Sequence, residues 1–339
     1  MELTTVADDL VVIHDGSEVH RHDGLAPDRE YRFSDMTART LPRPPGELLV
    51  RIATVNDVHF GETECGRIDD HAEGPIMRSK PGDDPYPEVM NRAAADEMAA
   101  ADVDAVVVKG DLSTDGLDHE WEAFEACYRE PFGDRLHVVR GNHDAYHGQT
   151  RYAGDRWIDL PGLTIGLLDT VIPTETTGGL RREQLDAADA QIARRDERVL
   201  LMGHHQQWIA KHSETGRSDD YFGLHPDASD ALDELCARRS NVIGYTAGHT
   251  HRHRVRPMTR AGVPSVEVGC VKDFPGTWAE YRVYEGGVMQ VVHRMSSPAS
   301  LEWSERCRFL YSDFGVDYET YALGTLAERC FVFPDRTSA

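Results

Sequence analysis

The sequence predicts an α/β domain, layered from alternating strands and helices, over about residues 48–295 of a 339-residue chain. Three observations carry that expectation. Short apolar runs alternate with alanine-rich or amphipathic stretches and never repeat. No apolar run approaches the roughly 18 residues needed to span a bilayer. Five of the apolar runs break off in the same way, in glycine followed or preceded by aspartate, asparagine or histidine.

Each element has its own reason. LLVRIATVNDVHF (48–60) is a strand running into a loop, VDAVVVKGDL (103–112) a buried strand, and RLHVVRGNHD (135–144) another. PEVMNRAAADEMAAA (87–101) is helical by its alanine content, with Pro87 near its start, where proline is tolerated. DHEWEAFEACYREPF (118–132) is predicted as a second helix, with others over 181–194 and 226–239. LTIGLLDT (163–170), RVLLMGHH (198–205) and NVIGYTAGHTH (241–251) supply further strands. PSVEVGC follows, and AEYRVYEGGVMQVVHRM reads as a hairpin turning at Glu285-Gly286-Gly287.

The two ends differ from this pattern. Residues 1–46 lack helical periodicity, and GLAPDREYRF (24–33) reads as strand-turn-strand, so a small β appendage is expected there. LPRPPGE (41–47) is the expected linker to a main domain over 47–296. Residues 297–339 carry Trp303, Phe309, Tyr311, Phe314, Tyr318 and Tyr321. They predict a helical, aromatic extension packed on the domain or on a second subunit, which leaves a homodimer open.

Composition narrows the function. Hydrophobic content of 40% and a mean hydropathy of −0.51 are those of a soluble globular protein. The N-terminal MELTTVADDLVVIHDG has neither a basic start nor a long apolar stretch, so no signal peptide is expected. Six scattered cysteines without a C-x-x-C pair suit unpaired thiols in a reducing cytoplasm. The net charge of −23 argues against a general phosphate-neutralising surface, so no nucleic-acid polymer is expected as partner. An anionic substrate would need a strong local positive charge to offset that field.

The five strand endings bring Asp57 and His59, then Asp111, then Asn142 and His143, then His204 and His205, then His249 and His251. In open α/β sheets the ligand site lies outside the carboxyl ends of the strands, so five such loops converge. Oxygen and imidazole ligands together suit Mn, Fe, Zn, Co or Ni better than Mg or Ca. Singly, each block is weak. Gly110-Asp111 also fits a simple turn, Asn142-His143-Asp144 also fits a helix cap, and His20-x-His22 in the polar N-terminal segment reads as a surface pair.

Taken in order, Asp57-x-His59, Gly110-Asp111, Gly141-Asn142-His143-Asp144, Gly203-His204-His205 and Gly248-His249-x-His251 closely resemble the calcineurin-like metallophosphoesterase superfamily, over about residues 50–295. GDLSTDGLDHEWEAF followed by HVVRGNHD, and LLDTVIPTETTGGLRREQLDAADAQIA before the GHH block, look like its bacterial cyclic-nucleotide and glycerophospho-diesterase branch (class III phosphodiesterases). One departure stands out: Gln206 and Gln207 follow His205, where that branch usually has proline, and this bears on the substrate loop.

The resemblance implies a four-layer αββα sandwich of two mixed β-sheets flanked by helices. It implies two transition-metal ions, of Mn, Fe or Zn type. Asp57, His59 and His251 would hold the first, Asn142, His204 and His249 the second, and Asp111 would bridge them. His143 would be the catalytic histidine that is not a ligand. Two ions about 3.5–4 Å apart clamp the oxygens of an in-line displacement and lower the pKa of a bridging water. They would also invert the local potential of an acidic chain. His143 can then hydrogen-bond a phosphate oxygen or protonate the leaving alkoxide, with Asp144 expected either to orient its ring or to cap a helix. His205 is expected to face the substrate and His225 to line the mouth. The expected activity is hydrolysis of a small phosphodiester, with a phosphomonoesterase as the alternative and a non-catalytic metal-binding scaffold disfavoured because all seven ligand types are present.

Overall fold

Two six-stranded mixed sheets stack face to face in the computed structural model, which describes residues 1–68, 71–212 and 216–334. The first sheet runs, edge to edge, Phe331–Val332, Gly287–Arg294, Thr277–Tyr284, Leu48–Val55, Ala105–Lys109 and Leu136–Val139. Its last three strands are parallel to one another and the rest antiparallel. The second runs Arg254–Pro257, Pro264–Glu267, Val242–Ala247, Arg198–Met202, Leu163–Leu167 and Arg156–Leu160, parallel through its four inner strands and antiparallel at both edges.

Val50, Ile52, Val107, Ile165, Leu200, Met202, Ile243 and Val283 fill the space between the sheets, all buried. Each such side chain contributes roughly 1.5–3 kcal/mol relative to exposure. Helices cover both outer faces. Tyr86–Ala100 and Asp118–Phe124, the latter continued by a π turn over Glu125–Arg129, pack on the first sheet through Met90, Ala94, Met98, Phe124 and Tyr128. Arg182–Ile192 and Pro226–Arg238 pack on the second through Leu185, Ile192, Leu232 and Leu235. The result is the expected four-layer αββα sandwich.

Three edge strands lie outside the sequence expectation: Phe331–Val332, in the extension expected to be helical, and the pair Arg156–Leu160 and Arg254–Pro257. Both are short, charged and only partly buried, so neither carries an apolar run. The N-terminal segment holds more strand than expected: Glu2–Val6, Leu10–Asp15 and Glu18–Asp23 form a three-stranded sheet, followed by the hairpin Glu30–Phe33 with Met36–Arg39. It sits on the outside of Gly287–Arg294 through Leu10 and Val12 against Met289 and Val291, and Arg282 reaches Asp8 and Asp9 at 2.7 Å each.

Beyond Arg294 the chain forms the helices Pro298–Arg306, Tyr318–Leu323 and Leu326–Arg329 before its last strand. Trp303 stacks on Tyr86 with ring centroids 4.1 Å apart, and Leu310, Tyr318 and Ala322 enter the same core. Residues 335–339 of this extension lie outside the described residues. None of the six cysteines is in a disulfide, and among the described residues no helix is long and apolar enough to cross a membrane.

Candidate metal centre

All five polar blocks leave the carboxyl ends of parallel strands, so their loops meet at one edge of the sandwich. The backbone there is unusual. Asp57, His59, Asp111, His249 and His251 all have left-handed φ angles, between 47° and 67°, a region that non-glycine residues seldom occupy. Backbone bonds lace the loops together, among them Asp57 N–H to Gly110 O (3.1 Å) and Val58 N–H to Asp111 O (2.9 Å). Gly110 and Gly141 must be glycine: a Cβ on the first would strike the His204 ring, and on the second the Asp111 carboxylate.

The side chains of Asp57, His59, Asp111, Asn142, His204, His249 and His251 converge there. His204 Nε2 lies 2.9 Å from Asn142 Oδ1, 3.1 Å from His249 Nδ1 and 3.3 Å from Asp111 Oδ2. The opposite nitrogens fix the tautomers. His204 Nδ1–H donates to Lys109 O (3.0 Å), and His249 Nε2–H donates to Phe222 O (2.7 Å). The Asn142 amide nitrogen donates to Tyr146 OH (2.6 Å), which turns its oxygen inward. Lone pairs thus face one another at separations typical of ligand atoms about 2.0–2.2 Å from a common ion.

A second group lies beside the first. His59 Nε2 is 3.5 Å from Asp111 Oδ2, and His251 Nε2 is 3.8 Å from Asp57 Oδ1. Asp57, His59 and His251 bring their ligand atoms within 4.8 Å of one another. His59 is 3% exposed, yet neither of its nitrogens has a hydrogen-bond partner. A buried imidazole left this way costs free energy unless something accepts its lone pair. Asp111 Oδ2 borders both groups, the position a bridging ligand requires. The donor set therefore fits two cations.

Electrostatics agree. Burial, and then the Lys272 charge, lowers the His59 pKa to about 4. Burial, and then His204, lowers that of His249 to about 3, so both rings are neutral and offer lone pairs. Burial also opposes a charge on His204, but Asp111 and Asp57 overcome it and lift its pKa to about 9. A cation held by His204 would have to displace that proton.

His143 borders the second group. Its Nδ1–H donates to Thr114 O (2.9 Å), its backbone N–H to Asp111 Oδ1 (3.0 Å), and its ring lies 4.6 Å from that of His59. Nε2 is left for other work. Proximity alone groups His143 with His59 and Asp111 as a ligand set, so its role rests on chemistry rather than distance. Asp144 does not orient this ring. Its buried carboxylate takes four donors: the Gly141, Leu112 and Ser113 N–H groups and the Ser113 hydroxyl. It locks the Asp111 loop to the Asn142 loop, and the Thr114 carbonyl performs the orienting.

The two expected substrate contacts, His205 and His225, are placed as follows. His205 is fully buried, with Nδ1 accepting from Thr170 Oγ1 (2.8 Å) and Nε2–H donating to Thr176 O (3.1 Å), so it has no nitrogen left for substrate. Its ring instead backs those of His204 and His249. His225 precedes Pro226–Arg238 and lines a separate cleft of about 530 Å³ with Arg140, Ile172 and Arg181, a cleft lined by none of the seven candidate ligands. His20 and His22 lie on the strand Glu18–Asp23, far in topology from the centre.

Sequence reasoning missed Asp273. It is fully buried in the loop before Thr277–Tyr284, and Oδ2 accepts from His251 Nδ1–H (3.2 Å). Oδ1 accepts from Tyr318 OH (2.8 Å) and Cys270 Sγ (3.0 Å). This fixes the His251 tautomer so that Nε2 faces Asp57, an arrangement usual for metal-binding histidines. Tyr321 OH also donates to Thr250 O (3.0 Å), so the C-terminal extension braces the His249–His251 loop.

Comparison with known proteins follows the same lines. The sequence model of the calcineurin-like phosphoesterase family matches residues 50–253. A Synechococcus protein described as a probable cyclic nucleotide phosphodiesterase is 28% identical over 155 residues, 44% of this chain and 58% of that protein. A 3′,5′-cyclic adenosine monophosphate phosphodiesterase of Pseudomonas aeruginosa is 27% identical over 198 residues, 56% of this chain and 68% of its own length. The match thus spans little more than half of the Synechococcus relative. Among solved structures, a dimetal phosphatase from Danio rerio superposes with a TM-score of 0.56 at 17% identity, covering 73% of this chain and 97% of that one. A purple acid phosphatase from yellow lupin (Lupinus luteus) seeds gives 0.54 at 15% identity, covering 83% and 60%. At such identities the two structures establish the fold alone; the family rests on the sequence match across more than half of the chain. The chain belongs to the calcineurin-like phosphoesterase family.

Proposed function

We propose that the chain hydrolyses small phosphodiesters, of cyclic-nucleotide or glycerophosphodiester type, with two transition-metal ions held by Asp57, His59, Asp111, Asn142, His204, His249 and His251. The observation that carries this is the ring of lone pairs around His204, which nothing but a cation or a proton can hold together. When bound, the ions supply an activated water and neutralise the phosphoryl oxygens. Asp111 holds the two sites at a fixed separation. Asp273 and Lys109 O hold the Nδ1–H groups of His251 and His204, so that Nε2 of each ring faces the centre. His143, anchored through Nδ1–H to Thr114 O, presents Nε2 to the leaving oxygen and donates a proton to it.

The two curated relatives with phosphodiesterase names favour a diester over a monoester, and the net charge of −23 favours a small substrate over a polymer. Six cysteines without a disulfide suit a cytoplasmic location. The test is a panel of cyclic nucleotides, glycerophosphodiesters and phosphomonoesters, compared by kcat/KM after reconstitution with Mn, Fe or Zn. A preference for monoesters across the panel would replace this reading by the phosphomonoesterase alternative.

A further inference from the structure

Phe222 is 42% exposed, although an aromatic ring of that size is ordinarily packed away. A lone exposed phenylalanine means little by itself. This one is tied to the centre. Its carbonyl accepts the Nε2–H of His249 (2.7 Å), and its ring lies 5.2 Å from the His249 ring at 37°. The residue that fixes the tautomer of a candidate metal ligand therefore also presents a bare aromatic face beside it.

The glutamine that departs from the related branch shapes this loop. Gln206 is 1% exposed, and its Nε2 donates to Tyr221 OH (3.1 Å), while its carbonyl accepts from Leu224 N–H (2.9 Å). Gly223 packs so closely on Gln206 that a Cβ there would lie 2.6 Å from its side-chain nitrogen. With Tyr221 buried and bonded on one side and Leu224 buried on the other, Phe222 is the residue the turn leaves facing out.

We propose that Phe222 is a stacking platform for a nucleobase, which narrows the substrate to a nucleoside phosphodiester, such as a cyclic nucleotide. The proposal rests on the phosphodiesterase reading above. A nucleoside phosphate carries its base one ribose away from phosphorus, so the phosphoryl group can lie at the cation centre while the base meets a ring beside His249. Every base has a π face, whereas glycerol has none. An uncharged platform also suits a protein of net charge −23, because it adds affinity without asking for more phosphate contacts.

The experiment compares wild type, Phe222→Ala and Phe222→Trp, each loaded with Mn²⁺, on 3′,5′-cyclic AMP and on base-free glycerophosphoglycerol. Base–aromatic stacking spans about 5- to 150-fold in binding. Phe222→Ala should raise KM for cyclic AMP within that range and affect glycerophosphoglycerol far less, and Phe222→Trp should restore the cyclic AMP value. Equal changes on both substrates, or no change on either, would overturn the platform. If the wild type cleaves neither diester but cleaves monoesters, the phosphodiesterase reading fails, and the same contrast between 5′-AMP and glycerol 3-phosphate decides the platform separately.

Discussion

Replacing Asp273 by asparagine should weaken one of the two cation sites by about 10- to 100-fold while leaving the fold in place. The side chains are of nearly equal size, so packing around this fully buried position is retained. What changes is charge and proton placement. Burial opposes the carboxylate, but the hydrogen bond from His251 and the charge of Lys272 hold its pKa at about 2, so it is ionised throughout the working range. Its Oδ2 keeps the His251 proton on Nδ1 at 3.2 Å. An asparagine can offer an N–H to Nδ1 instead, which moves the ring proton to Nε2, where the cation must bind. Loss of such an orienting partner typically costs 10- to 100-fold in metal affinity, about 1.4–2.8 kcal/mol. That agrees with about 1.5–3 kcal/mol for a hydrogen bond to a charged group. The assay titrates Mn²⁺ into metal-free protein against a chromogenic chelator. One binding step should weaken and the other persist, with Tyr318→Phe producing a smaller shift in the same step, since it removes one of the donors to Oδ1. Unchanged affinity at both sites would show that His251 is not a ligand or that Asp273 does not orient it.

Three further outcomes are expected. Asp111→Ala should lose both ions by elemental analysis and nearly all turnover, whereas His22→Ala on the outer strand Glu18–Asp23 should alter neither. His143→Ala should keep both ions and lose about 10²–10⁴-fold on alkyl or cyclic diesters. It should lose much less on an aryl diester, whose phenolate leaves without a proton; equal losses would point instead to stabilisation of the phosphoryl oxygens. His14, buried beside Thr4 (Oγ1 to Nδ1, 2.8 Å), has its pKa lowered by burial, then by Arg294, from 6.5 to about 4. The unfolded chain therefore binds this proton first as pH falls. Its contribution to stability is complete above pH 6.5 and disappears towards pH 4, and His14→Gln should flatten the thermal midpoint across that window, as followed by scanning fluorimetry.

The strands were legible because burial on both faces forces continuous apolar runs, and the candidate ligands because each such run stops in groups that a core cannot hold. Arg156–Leu160 and Arg254–Pro257 escaped because an edge strand needs no apolar run. Asp273 escaped for a different reason. It sits in VKDFPG, which has no ligand spacing, and its partners Tyr318 and His251 lie 45 and 22 residues away. The only signal was indirect: a coordinating histidine needs an acceptor for its other nitrogen. The same rule explains His205. Two adjacent histidines after a strand point in different directions, and only geometry reveals that Thr170 and Thr176 occupy both nitrogens of the second.

The left-handed backbone at Asp57, His59, Asp111, His249 and His251 sets durability against activity. Holding a side-chain-bearing residue in that region costs about 1–2 kcal/mol relative to glycine. Across five positions this is comparable to the whole net stability of many domains. A glycine placed at any one of them would be expected to firm the metal-free chain while dismantling the centre. Selection of this protein for heat resistance alone would therefore erode the very loops that make it useful. Cation binding, which favours the folded form by mass action, is what reconciles the two demands.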